Sequence, residues 1–195
     1  WYSYNDLRLL ISPQVFHPGF FFSTRLLLNY TLKLNLKGKS FLELGAGSGL
    51  IAMSAAKKGA TVTATDINIV AIDYLQQNVE RNSANITILR SDLFDDIPLL
   101  QFNVIAINPP YYKRNPQNEL EHAWFCGEQG EYFVKLFSQI GNYIHATTKI
   151  IMVLCDDCDV NMIESIASRA GYKMQLQQAT RRLWEMNYIY EIKRM

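Results

Sequence analysis

Between residues 40 and 171 the chain alternates short apolar runs with amphipathic stretches, and this rhythm restricts the fold more than any other feature. "SFLELG" (40–45) reads as a strand, and 49–58, "GLIAMSAAKK", has the apolar spacing and alanine content of a helix. "ATVTATD" (60–66) is β-branched and alternating, so a second strand. Next, 68–82 opens on an asparagine cap, repeats apolar residues at helical spacing and ends at Asn82. "ITILRSD" (86–92) and "FNVIAIN" (102–108) are the third and fourth strands, 130–146 a helix, "KIIMVLC" (149–155) the fifth strand, and 159–170 a helix stopped by Gly171. Two closely spaced runs, about 172–180 and 183–193, have no helix between them and should pair as a hairpin. The expectation is an α/β fold with a seven-stranded, mostly parallel sheet, one antiparallel strand and helices on both faces.

With 195 residues, 49% of them hydrophobic, one domain of ordinary size is expected over 1–195. Residues 1–36 form an N-terminal loop and helix, and 37–195 the core. The helix lies in 16–34, with Ser23 or Thr24 as its cap and its leucines packed on the sheet. The cluster Phe16, Phe20, Phe21 and Phe22 either joins that packing or forms a lid over a cofactor or substrate. No membrane span is expected, because the longest apolar candidate, around Phe20 to Leu28, is broken by Ser23, Thr24 and Arg25. The first residues carry no signal-peptide pattern, and a cytoplasmic location is the expectation. The net charge of +1 provides no global field for nucleic acid, leaving only the local pairs Lys113–Arg114 and Arg181–Arg182. Three cysteines make no disulfide framework. Cys155 and Cys158, with His122 and Cys126, count up to a zinc set, but a single C-x-x-C interrupted by two aspartates is read as packing, and no metal is expected.

"ELGAGSGL" (43–50) joins the first strand to the first helix. Gly45, Gly47 and Gly49 permit positive φ and let a ligand approach the backbone where a Cβ would clash. In an open parallel sheet such a turn lies at the carboxyl end of the strand, where ligands bind. No lysine follows the glycines, so a phosphate-binding P-loop is excluded. A dinucleotide turn is disfavoured too, because Glu43 would face a pyrophosphate. It can instead meet a cation, and S-adenosylmethionine carries an ammonium and a sulfonium and no phosphate. Asp66, with Ile67 after it, ends the second strand where a carboxylate can accept both ribose hydroxyls. Asp92 ends the third strand, placed for an adenine amino group, with Leu93 and Phe94 available to sandwich the ring. Each aspartate alone is equally an ordinary turn residue; three strand ends in register are what carry the reading.

Together "ELGAGSG", "ATDI", "SDLF" and "INPPYY" resemble the class I S-adenosylmethionine-dependent methyltransferases, which have a Rossmann-like fold. The resemblance is greatest to their HemK-like branch, which methylates the side-chain amide of protein glutamine. It runs from about Phe16 to the end and includes "FCGEQGEYF" (125–133), Pro18 and Thr24. It implies S-adenosylmethionine as cofactor, a protein substrate (a release factor among the options) or nucleic acid, and leaves an additional subunit open. Adenine N6-methyltransferases share the N-P-P-Y signature, so adenine in RNA or DNA is the alternative substrate; a catalytically silent binding subunit comes next, and a dehydrogenase is more distant. Three features depart from the HemK-like pattern: Tyr112 replaces an aliphatic residue, the acidic residue between Pro18 and Thr24 is missing, and the separate helical recognition domain is absent from these 195 residues.

Methyl transfer to nitrogen is an in-line displacement that depends on positioning. An amide or aromatic NH2 is a poor nucleophile because its lone pair is delocalised. Acceptors aimed at its protons favour a tetrahedral nitrogen and stabilise the charge it develops. The side-chain oxygen of Asn108 and the carbonyl of Pro109 are the acceptors on offer, with Pro110 holding Pro109 extended. Tyr111 can stack on a planar amide or base. Tyr112 either stacks on a second planar group or fills space.

Overall fold

The computed structural model describes residues 1–19 and 22–195. Strands β1 (Tyr2–Tyr4) and β2 (Leu7–Leu9) form a small antiparallel hairpin before helix α1 (Phe22–Thr31). The central sheet is built from β3 (Ser40–Leu44), β4 (Thr61–Asp66), β5 (Ile86–Arg90), β6 (Phe102–Ile107), β7 (Ile144–Cys155), β8 (Tyr172–Arg182) and β9 (Glu185–Arg194). Helices α2 (Leu50–Lys57), α3 (Ile69–Arg81), α4 (Glu131–Gln139) and α5 (Val160–Arg169) connect them. The order is β5-β4-β3-β6-β7-β9-β8, with β9 alone running antiparallel to its neighbours. The expected seven-stranded, mostly parallel sheet is borne out.

Alternation within each strand serves two cores. Phe41 and Val104 face one side with Leu27, Leu28, Ile51 and Leu75 from α1, α2 and α3. Leu42, Leu44, Ile105 and Ile107 face the other with Phe133, Leu136, Ile163 and Ile166 from α4 and α5. A strand covered on both faces has no polar face to offer, hence the continuous apolar runs.

Asn68 caps α3, its side-chain oxygen accepting from the Val70 N–H at 2.9 Å, and Gly171 at φ 85° ends α5, both as expected. Three boundaries differ. The helix expected over 130–146 ends at Gln139, passes through a 3-10 turn at Ile140–Tyr143 and gives way to β7 at Ile144. Gly141 weakens the helix there, and β-branched Ile144, Thr147 and Thr148 suit a strand that pairs Ile144 with Phe102. Ser23 and Thr24 do not cap α1; both lie inside it, buried. The stretch before α1 is more than a loop, because Leu7 and Leu9 are buried and supply the apolar face that makes β2 worth forming. Asparagines on α3 complete its hydrogen bonding. Asn78 accepts from the Leu10 N–H at 2.7 Å and donates to the Leu10 carbonyl at 3.0 Å and the Ser48 carbonyl at 3.1 Å. Asn82 likewise meets both the N–H and the carbonyl of Arg8 at 3.0 Å.

Candidate active site

β3 leads to β4 and β5 on one side of the sheet, while β6 lies on its other side. The strand order therefore reverses between β3 and β6, and their carboxyl ends open a crevice there. The cleft encloses about 1150 Å³ with its open mouth included. The glycine loop, Asp66–Ile67, Asp92–Leu93 and Asn108–Tyr111 all line it. The sequence-predicted residues thus converge, with Gly49 as the exception. Gly49 caps α2 at φ 82° and faces inward, where a Cβ would lie 2.2 Å from the Cδ1 of Leu75. Gly45 and Gly47 also have positive φ, 71° and 52°. Gly45 is the open cradle: a Cβ there meets no protein atom within 4 Å.

Buried Glu43 and partly buried Asp66 are both held by backbone amides. Glu43 Oε2 accepts from the Ala52 N–H at 2.7 Å, so it caps the first turn of α2 from below. Burial pushes its carboxyl up to about 8, and the nearby Asp66 adds to the effect. Asp66 accepts from Gly47 N–H at 2.9 Å and Asn68 N–H at 3.0 Å, which ties the glycine loop to β4. Burial raises the Asp66 carboxyl despite these bonds. A cleft holding two carboxylates that resist ionisation is prepared for a cationic or hydroxyl-rich ligand.

Asp92 is half exposed on the cleft wall, and its Oδ2 accepts from Lys135 Nζ at 2.5 Å; Lys135 also reaches Asp95 at 2.7 Å. A carboxylate has further acceptor positions, so this pair leaves room for another donor. Leu93 lines the cleft at φ 55°. Phe94, expected beside it as the other half of a ring sandwich, does not face the cleft. It is buried and stacks on Tyr143 with centroids 4.5 Å apart, because the left-handed turn at Leu93 sends the next side chain into the core.

At the other wall, Asn108 Nδ2 donates to Thr24 Oγ1 on α1 at 3.4 Å. With its NH2 so engaged, the side-chain oxygen of Asn108 is left as the free end of an amide that lines the cleft. Neither that oxygen nor the Pro109 carbonyl has a hydrogen-bond donor among the described residues. The loop behind them is rigid. Tyr111 and Tyr112 N–H both donate to the Trp124 carbonyl, at 3.2 and 2.9 Å, and the Cys126 N–H returns to the Tyr112 carbonyl at 3.0 Å. The Tyr111 ring is half-buried against Tyr112, centroids 4.9 Å apart. Burial first, and then the neighbouring Cys155 thiol and Tyr112, raise its phenol above the ordinary range. Cys155 and Cys158 lie 3.7 Å apart, buried and free, as packing residues beneath Tyr111. No cluster of metal ligands occurs among the described residues.

Residues that sequence reasoning missed come from segments without a motif. Gln14 and Val15 cross the glycine loop, and the Gln14 carbonyl accepts from Asn68 Nδ2 at 3.5 Å. Glu119 and His122 overhang the cleft from a 3-10 turn that Arg90 anchors, reaching Glu119 at 2.9 Å and the Ile67 carbonyl at 3.1 Å. Tyr132 closes the floor; burial and then the charge of Asp92 and Asp66 raise its phenol. Only Tyr132 had a signal, a tyrosine two residues after Gly130, which takes φ 76° and opens α4. Of the phenylalanine cluster, Phe16 lines the cleft and packs on Trp124, and Phe22 lies under Arg182. Phe20 and Phe21 lie outside the described residues.

A glycine loop at the strand-order switch, acids at successive strand ends and paired acceptors after β6 define an S-adenosylmethionine-dependent methyltransferase, with S-adenosylmethionine as its cofactor. Residues 6–128 match the model of the methyltransferase small domain, and the chain belongs to that family. A relative from Methanocaldococcus jannaschii, provisionally named a protein N5-glutamine methyltransferase, is 32% identical over 144 residues, 71% of each chain. A release factor glutamine methyltransferase of Lactococcus lactis is 30% identical over 78% of this chain and 60% of its own length. A tRNA1(Val) adenine N6-methyltransferase of Shewanella loihica is 31% identical over 60% of this chain and 53% of its own. These last two are longer proteins, of which this chain spans only about half to three-fifths. In fold, the chain is similar to a Pyrococcus furiosus methyltransferase (TM-score 0.74, 22% identical, covering 98% of this chain and 91% of that one). It is also similar to one chain of the E. cuniculi Mtq2-Trm112 complex, which is responsible for methylation of the eRF1 termination factor (TM-score 0.72, 20% identical, covering 93% of this chain and 99% of that one).

Proposed function

We propose that this chain methylates the side-chain amide nitrogen of glutamine in a protein. The observation that carries the reading is the pair of unpartnered acceptors, Asn108 Oδ1 and Pro109 carbonyl, side by side at the cleft wall. A carboxamide NH2 has two protons and fits two acceptors. Thr24 holds the Asn108 amide from the α1 side, and the diproline keeps the second acceptor aimed. Tyr111, its backbone held by the Trp124 carbonyl and its ring half-buried against Tyr112, offers a ring face for the planar amide. The loop has no group suited to act as a general base, so the extra proton passes to solvent once the nitrogen is alkylated.

The cleft fits the donor. Gly45 leaves space that a Cβ would fill, Gly47 and Gly49 shape the turn, and Glu43 is placed for an ammonium group. Asp66 and Ile67 would hold the ribose, and Asp92 and Leu93 the adenine. S-adenosylmethionine, when bound, supplies a methyl group on a sulfonium. We read 1–195 as one domain, with the segment before residue 37 covering the cleft through Gln14, Val15, Phe16 and Thr24. Its three free thiols accord with the reducing cytoplasm, and no helix among the described residues is long and apolar enough to cross a membrane.

The relative from M. jannaschii supports glutamine, and the L. lactis relative makes a release factor the first protein to try. The S. loihica relative supports adenine in RNA as the second reading, and the Mtq2-Trm112 neighbour makes an added subunit worth supplying. Transfer of labelled methyl into a cell extract, followed by separate protease and ribonuclease digestion, tests the choice. Label that survives ribonuclease and is lost with protease is expected; the reverse assigns adenine.

A further inference from the structure

The β8–β9 hairpin ends in a two-residue turn, Leu183–Trp184, with Arg182 paired to Glu185 across it. β9 runs antiparallel to β7 and pairs Asn187 with Cys155, the last residue of β7. The turn therefore projects beyond the carboxyl end of β7. That is also the end from which the Asn108 loop leaves β6, since β6 and β7 are parallel with Ile107 opposite Met152. Two contacts place the tip at the rim of the site. Arg182 lies 5.2 Å over the ring of Phe22, the first residue of α1, and Thr24 two residues later bonds Asn108.

The turn is built against its own folding interest. Leu183 takes φ 53°, at the first central position of a two-residue hairpin, where glycine is favoured. It is 82% exposed, and Trp184 is 90% exposed. A leucine in the left-handed region and a bare tryptophan side by side both oppose stability and solubility, and such strain and exposed apolar surface mark sites of interaction. Exposed Arg181 has no ion-pair partner among the described residues, and neither has Arg25, one helical turn after Phe22.

We propose that this tip is a docking arm for the polypeptide that carries the target glutamine. Leu183 and Trp184 take an apolar side chain, and Arg181, Arg182 and Arg25 take carboxylates flanking it. The proposal rests on the glutamine reading. Nucleic acid fits the arm less well, because Asp156, Asp157 and Glu185 stand at its base and would face a phosphate on every nucleotide. A polypeptide can place its carboxylates selectively. Tryptophan and arginine are also the side chains that most often dominate protein interfaces.

The test is methyl labelling of extract protein, with the extract supplying any further subunit, alongside calorimetry with S-adenosylmethionine. Trp184→Ala and the double variant Arg181→Glu/Arg182→Glu should each label protein roughly tenfold more slowly or worse while binding S-adenosylmethionine as the natural chain does. Added salt should slow the natural chain and leave the double variant nearly unchanged. Leu183→Gly separates docking from folding: it should raise the melting temperature by removing strain and still lower labelling. Full-rate labelling by Trp184→Ala or by the double variant, with label confined to protein, overturns the arm and spares the glutamine reading. Ribonuclease-sensitive label from the natural chain overturns both.

Discussion

Substituting alanine at Gly45, Gly49 and Gly171 separates the cost of backbone conformation from that of packing and from that of ligand access. All three glycines have positive φ, 71°, 82° and 85°. An L-residue there costs about 1–2 kcal/mol, and alanine recovers about 0.4–1 kcal/mol through the unfolded chain. The net backbone cost is about 1 kcal/mol at each site. At Gly171 and Gly45 a Cβ meets nothing within 4 Å, so this is the whole cost. At Gly49 the same atom would lie 2.2 Å from Leu75 Cδ1, and Leu75 is fully buried. Overpacking adds about 1–3 kcal/mol, for a total of about 2–4. In a chain of this size the expected drop in melting temperature is roughly 2–4 °C at Gly45 and Gly171 and roughly 4–16 °C at Gly49. Urea titration should move the midpoints in the same order at constant m. Calorimetry then divides the mild pair: Gly171→Ala binds S-adenosylmethionine normally, and Gly45→Ala loses tenfold or more. Equal melting of the Gly49 and Gly171 variants would refute the packing account. Normal binding by Gly45→Ala would refute the placement of the donor in this cleft.

Other expectations follow from single contacts. Asn108→Ala should lower kcat by about 10²–10³ with the S-adenosylmethionine dissociation constant little changed, as for loss of one preorganised transition-state contact. Thr24→Val removes only the bond that orients Asn108, worth about 1 kcal/mol; kcat should fall by about five, with Thr24→Ser restoring it, and an unchanged Thr24→Val rate would sink that role. Glu43, raised by burial to about 8 from 4.5, is protonated at neutral pH in the free protein and must ionise to meet an ammonium. Binding should release a proton near pH 7, read from calorimetry in buffers of different ionisation heat, and Glu43→Gln should abolish the release. By linkage, the Glu43 contribution to stability is full below pH 4.5 and lost as pH rises to about 8, a fall that Glu43→Gln should remove. Asn78→Ala strips three hydrogen bonds from buried or half-buried backbone and should cost about 2–4 kcal/mol. Because it releases the segment leading to Gln14 and Val15, S-adenosylmethionine affinity should fall with it.

The acids and glycines of the cleft were legible because strand ends are. An apolar run that stops at Glu43–Gly45, at Asp66 or at Asn108 marks the residue left at the carboxyl edge of a parallel sheet, where the cleft must lie. Phe94 was misjudged because sequence adjacency to Leu93 says nothing of a left-handed turn that reverses which way the next side chain points. β1 and β2 are too short to show a period, and Arg8 in β2 and Leu10 just after it bond asparagine side chains 74 and 68 residues away. The helix expected over 130–146 was overextended, because only the pairing of Ile144 with Phe102 makes the residues after Gly141 a strand.

By itself, then, the order of apolar runs determined the layered sheet, the place of its ligand cleft and the acceptors at its mouth, since each depends on local periodicity and on where a strand stops. Tertiary structure alone decided that the Asn108 amide is held by Thr24, 84 residues away. It also decided that Lys135 already holds Asp92 and that the Leu183–Trp184 turn reaches the rim of the site. Contacts of that range have no periodic trace in the chain; they exist only once the strands have been set side by side.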